Sequence, residues 1–142
     1  MNTTLVFLAA AVALTALFWW YRRLREDDQL QAFLLHDGAL ATMASRAHLI
    51  DGSNHIPVAL KLDAQHITYQ NRDLDASIDI GQIDEVEYGS DLVTGHIANG
   101  AVLRLRSHGR TFEFILDLAV ADRWSHRLPP HRMNEEGVVH AT

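Results

Sequence analysis

The chain has 142 residues, with 12 Lys and Arg against 18 Asp and Glu, a formal net charge of −6. It has no cysteine, which excludes disulfides and thiolate metal sites. The acidic balance excludes no fold, but it argues against a nucleic-acid backbone as partner.

The chain begins with an apolar run, Leu5–Arg25, that has no charged side chain before Arg22. Nineteen uncharged helical residues would rise about 28 Å, close to the roughly 30 Å of a hydrocarbon core. The run closes on Trp19, Trp20 and Tyr21 and then Arg22, Arg23 and Arg25, the residue types of a membrane–water boundary. A cleaved signal peptide would put its basic residues before the apolar stretch and not after it. The expectation is therefore a single-pass anchor over residues 1–25 in a bacterial inner membrane. Its N-terminus would lie outside and the following domain in the cytoplasm, with the lipid bilayer as one partner. Beyond the three boundary arginines, residues 26–142 hold nine basic and 18 acidic side chains, net −9.

Residues 26–38 read as an amphipathic linker helix. Acidic residues come early, Leu30, Phe33 and Leu34 fall at helical spacing, and Gly38 supplies a stop. That apolar side either packs on its own domain or docks a partner. From Ala39 the period becomes two: Val58, Leu60 and Leu62, then Ile67 and Tyr69, Ile78 and Ile80, Val86 and Tyr88, Leu103 and Leu105, and Phe112, Phe114 and Leu116. With a further strand around Met43–Ile50 this makes seven or eight half-buried antiparallel strands. Turn residues separate them at Asp63-Ala64-Gln65, Asn71-Arg72-Asp73 and Gly89-Ser90-Asp91. Asn99-Gly100 and Ser107-His108-Gly109-Arg110 are the hairpin signals. The pattern then turns helical, with Asp117 as N-cap, a stripe of Leu118, Ala121, Trp124 and Leu128, and a stop at Pro129-Pro130. Trp124 and Leu128 are expected to cap the curled sheet. Residues 131–142 have no period and read as a flexible tail.

Over Ala39–Leu128 the segments VALKLDAQHITYQN, ASIDIGQIDEVEY, VLRLRSHGRTFEFIL and DLAVADRWSHRL resemble the PH-like superfold, particularly its GRAM-type branch. Ile80, Ile83, Val86 and Glu87 and the helical Trp124 carry the likeness. It implies an α+β domain over residues 39–130, a seven-stranded bent antiparallel barrel capped by the C-terminal helix. Family members bind phosphoinositides or protein segments. The expected first hairpin loop, Asp51–Pro57, has no Lys or Arg, which argues against a phosphoinositide. Arg104, Arg106 and Arg110 form a small basic patch on the late hairpin, either paired with Glu113 or Asp117 or open to a partner.

No catalytic motif stands out, and an enzyme is not expected. Of the nine histidines only His126 and His131 lie near one another, across Pro129-Pro130, so neither a metal nor a cofactor is expected. Asp79, Glu85 and Glu87 fall on wet faces as solvating charges, and no small-molecule substrate is evident. The expectation is a membrane-anchored binding or assembly module, an accessory subunit that docks its domain onto a membrane protein complex, of respiratory or photosynthetic type. In layout, through Trp20-Tyr21-Arg22-Arg23 and Glu26-Asp27, it is similar to the H subunits of purple-type photosynthetic reaction centres. The alternative is a module sensing lipid head groups at a membrane surface, whose partners would be those lipids.

Overall fold

The computed structural model describes residues 3–36, 41–133 and 139–141. A first helix, α1 (Thr3–His36), precedes the strands β1 (Met43–Asp51), β2 (Asn54–Leu62), β3 (His66–Gln70) and β4 (Asp75–Asp79). A 3-10 turn at Ile80–Gln82 leads into β5 (Ile83–Asp91), β6 (Ile97–Ser107) and β7 (Arg110–Leu116). Helix α2 (Leu118–Arg127) and two short strands, β8 (His131–Met133) and β9 (Val139–Ala141), complete the order. The apolar run and the amphipathic linker form one continuous helix. The glycine stop at Gly38 lies outside the described residues, as do 134–138 of the C-terminal stretch.

The strands form one antiparallel sheet in the order β4-β3-β2-β1-β7-β6-β5-β8-β9. It is open, which corrects the expected closed seven-stranded barrel. Closure would require β4 to pair with β5. Asp79 instead accepts a 2.8 Å hydrogen bond from the Gly81 amide and caps the 3-10 turn, so the chain leaves β4 at a corner. The outer edge of β5 is taken by β8, through the pairs Glu85↔Arg132 and Val86↔His131. A backbone edge already paired cannot accept a second strand.

The expectation of a transmembrane anchor is also overturned. Among the described residues no helix is long and apolar enough to cross a membrane. Arg22, Arg23 and Arg25 end the apolar run, and α1 continues past them into the segment that packs on β1 and β2. A single-pass protein of the inner membrane with an external N-terminus and a cytoplasmic domain is not supported.

Turn chemistry explains the hairpins. Asp51 pairs with Asn54, so the first loop is only Gly52-Ser53, and Asn54–Pro57 belong to β2. Ser107 pairs with Arg110 across His108 (φ 49°) and Gly109 (φ 73°), the double left-handed pair of a tight hairpin turn. Asn99-Gly100 is not a turn but lies inside β6. Gly100 has φ 144°, and a Cβ there would sit 2.5 Å from the Leu116 carbonyl oxygen, so the glycine serves a close approach between β6 and β7.

The main core lies on one face of the sheet. It joins Val58, Leu60, Ile67, Ile83, Leu103, Leu105, Phe114 and Leu116 to Trp124 and Leu128 beneath α2. Tyr69 meets Phe114 edge-on at 5.4 Å between ring centroids. A small second cluster, Leu92, Val102 and Ile115, sits on the opposite face of β6 and β7. The paired registers Leu103↔Phe114 and Val102↔Ile115 assign the two faces, as the period of two requires. Leu118, placed in the helical stripe by spacing, is 73% exposed at the first turn of α2, while Ala121, Trp124 and Leu128 are buried.

Candidate functional site

The two helices pack on opposite faces of β1. Ser45 and Ala47 of β1 point to the core, and the Trp124 indole N–H of α2 donates to the Ser45 hydroxyl at 2.8 Å. Arg46 and His48 point the other way, toward α1. Arg46 Nη1 donates to Asp27 Oδ1 and Nη2 to the Asp27 carbonyl, each at 3.3 Å. Helix α1 packs on β1 and β2, and β2 is consequently buried on both faces over Val58–Leu62. Alternation assigns Ala59 and Lys61 to water, but their exposures are 0% and 5%. The Lys61 ammonium is satisfied in part by Gln70 Oε1 at 3.0 Å.

Of the expected partner contacts on the linker, Leu30 is buried and Phe33 and Leu34 are half-buried. This segment therefore docks α1 on its own sheet. Every described side chain from Phe7 to Arg25 is exposed. Trp19, Trp20 and Tyr21 stand 57–75% exposed, and the Arg25 guanidinium lies 5.3 Å from the Tyr21 ring centroid. These residues stand on the exposed stretch of α1, ahead of the segment that packs on the sheet.

Arg22 and Arg23 instead help to line a cleft of about 280 Å³ between α1 and the sheet. Its other walls include His48 of β1, Pro57 of β2 and Arg72 of the β3–β4 turn. That turn is held by two contacts of Asn71. Its side-chain oxygen accepts from the Asp73 amide at 2.9 Å, and its Nδ2 donates to the Pro57 carbonyl at 3.2 Å. Sequence reasoning missed this cleft, since Arg72 and Arg22 are 50 positions apart and no local pattern joins them.

The late-hairpin arginines are not one patch. Arg104 bonds Glu87 at 2.7 Å, Glu113 at 3.1 Å and the Asp91 carbonyl at 2.7 Å. Burial tends to lower its pKa, but the hydrogen bonds it donates to Glu87 and Glu113 outweigh this and raise it. Arg106 pairs with Glu85 at 3.2 Å, and Glu85 also bonds Arg132 of β8 at 2.9 Å. Arg110 is exposed at the β6–β7 turn. Glu113 also accepts from the Val93 amide at 2.8 Å, which ties the β5–β6 turn to β7. This array is a cross-strand ladder that holds the sheet.

Among the described residues no group of three or more His, Asp or Glu side chains could hold a metal ion. Asp63 has its pKa lowered by backbone hydrogen bonds from the Gln65 and His66 amides, both 2.7 Å, as befits a turn acceptor. Tyr88 has its pKa raised strongly by burial, and its hydroxyl donates to the Leu128 carbonyl at 2.9 Å.

No family model and no curated protein matches the chain. The chain is similar in fold to the crystal structure of the C-terminal domain of an unknown protein from Leishmania infantum. The TM-score is 0.51 at 12% identity, over 69% of this chain and 93% of that one. At that identity the likeness is one of fold.

Proposed function

We propose that this chain is a non-catalytic assembly module, an accessory subunit joined to a larger protein complex through the first half of α1. The observation that carries the reading is the exposure of that half-helix. Phe7, Leu8, Val12, Leu14, Leu17 and Phe18 are all 57–74% exposed and lie on several sides of the helix. A helix apolar all round is stable only when something covers it, and no part of this chain does so among the described residues. The second half of α1 supplies the rigid base, since Leu30 and the Arg46–Asp27 pair fasten it to β1 and β2. The helix would then insert among apolar helices of the partner while the sheet stays at the periphery. The PH-like resemblance enters the same proposal. It is supported by α2 seated on the sheet through Trp124, and the open sheet departs from it.

The deciding experiment is native mass spectrometry of the particle isolated from its source, with photo-crosslinkers at Leu14 and Leu17. Fixed stoichiometry with a defined set of proteins, crosslinked at both positions, supports the reading. A lone chain, or crosslinks to lipid without protein, overturns it.

A further inference from the structure

We infer that the open edge of β4 is a docking site for an extended protein segment with basic side chains at positions i and i+4. β4 ends the sheet and, among the described residues, pairs with β3 alone. The register decides which backbone groups this leaves over. The Asn71 amide donates to the Leu74 carbonyl at 2.7 Å and the Ile80 amide to the Gln65 carbonyl at 2.8 Å, one bond at each end of the pair. Hydrogen-bonded pairs alternate along an antiparallel ladder, so Ala76 and Ile78 are the residues of β4 that bond to β3. The N–H and C=O of Asp75 and Ser77, and the N–H of Asp79, therefore point away from the sheet. All three residues are exposed. Such a row of backbone donors and acceptors is a template for one more strand.

Charge selects the occupant. Asp75 and Asp79 share the wet face of β4, four positions and roughly 13 Å apart along the strand. Each carboxylate has a neutral donor on one oxygen: Gln70 Nε2 donates to Asp75 at 2.9 Å, and the Gly81 amide to Asp79 at 2.8 Å. Gln70 in turn accepts from Lys61 at 3.0 Å, so Asp75 is held in a polar row across β2, β3 and β4. A second copy of β4 laid antiparallel over the whole edge would set Asp75 opposite Asp79, like charge against like. Charged groups on an edge deter indiscriminate pairing. A segment with Lys or Arg at i and i+4 meets both acids instead. Its residue i+2 lies opposite Ser77, and i+1 and i+3 lie beside Ala76 and Ile78 on the core face, where apolar side chains fit.

The test is an NMR titration of the isotope-labelled full chain with the end-capped peptide Lys-Val-Thr-Val-Lys, and with Glu-Val-Thr-Val-Glu as its acidic counterpart. Saturable shifts centred on the Asp75, Ser77 and Asp79 amides with the basic peptide, absent with the acidic one, support the site. Asp75→Asn combined with Asp79→Asn keeps both side-chain acceptors and is expected to weaken binding about fivefold or more. The amide spectrum itself checks that the variant is folded. The basic peptide N-methylated at its central threonine cannot donate to the Ser77 carbonyl and is expected not to bind. Binding that survives N-methylation overturns the strand pairing, and equal binding of the two peptides overturns the charge selection. Failure of the basic peptide to bind overturns the inference, as does a dimer formed through β4, which would make the occupant a second copy.

Discussion

The indole N–H of Trp124 and the hydroxyl of Ser45, 79 positions apart, meet at 2.8 Å in the buried interior. Trp124 is 0% exposed and Ser45 8%, so neither group has water as an alternative partner. This contact fixes α2 over β1. Trp124→Phe keeps most of the apolar contact and is expected to cost about 1–3 kcal/mol by stranding the Ser45 hydroxyl. Trp124→Ala adds a cavity, for about 3–5 kcal/mol. Urea unfolding of both, with Ser45→Ala to complete a double-mutant cycle, measures the coupling. A coupling energy near zero would show that the hydrogen bond has no part in seating the helix.

Gly100 and Gly109 both have positive φ, but they differ in what surrounds them. At Gly109 (φ 73°) a Cβ would meet open space, and Gly109→Ala is expected to cost about 1–2 kcal/mol from backbone strain. At Gly100 the Cβ would meet the Leu116 carbonyl oxygen at 2.5 Å, which requires backbone movement. Gly100→Ala is therefore expected to lower the melting temperature by clearly more than Gly109→Ala. Equal shifts would contradict the close approach of β6 and β7.

The second half of α1 should have one face that stabilises the domain and one that does not. Leu30 is 6% exposed and Leu35 80%. Leu30→Ala is expected to cost about 2–4 kcal/mol, and Leu35→Ala less than about 0.5. Chemical denaturation of both variants decides, and equal losses would mean that α1 does not dock on the sheet through Leu30.

The ion-pair ladder gives a further expectation. Glu113 is 7% exposed and depends on Arg104, whose other bonds reach Glu87 and the Asp91 carbonyl. Arg104→Met leaves a largely buried carboxylate with one backbone donor, for a loss of about 2–4 kcal/mol. Arg110→Met, exposed at the turn, is expected to stay within about 0.5 kcal/mol. A thermal melt of the pair tests this.

The Asp63 turn should be sensitive to acid. Its folded-state pKa is lowered by the Gln65 and His66 amides, so the carboxylate contributes stability above its unfolded pKa of about 3.9. That contribution fades as pH falls through the lower folded value. Asp63→Asn keeps an acceptor oxygen without a titrating charge. Unfolding midpoints between pH 6 and pH 3 are expected to fall less steeply in Asp63→Asn than in the wild type. Parallel profiles would count against the turn as a source of acid lability.

Much of the sheet was legible because local pattern and local chemistry act within a few residues. The period of two places Leu103, Leu105, Phe114 and Leu116 on one face, His108-Gly109 makes its own turn, and the Ala121–Trp124–Leu128 stripe makes its own helix. Other features depend on which surfaces meet. Ala59 and Lys61 alternate as if wet, yet α1 covers them. Asn99-Gly100 has the composition of a turn, yet the glycine makes room for the Leu116 carbonyl. The boundary aromatics and arginines have the composition of a lipid interface, yet they lie on a helix docked to a sheet. The unpatterned residues His131–Met133 take the edge of β5 and so leave the sheet open. Sequence by itself determined the strands, their inward faces, the tight turns and the acidic balance, because these follow from neighbours along the chain. Only the tertiary structure decided the open sheet, the double burial of β2 and the cleft joining Arg22, Arg23 and Arg72. Edge pairing and helix docking bring together groups whose separation along the chain no periodicity records.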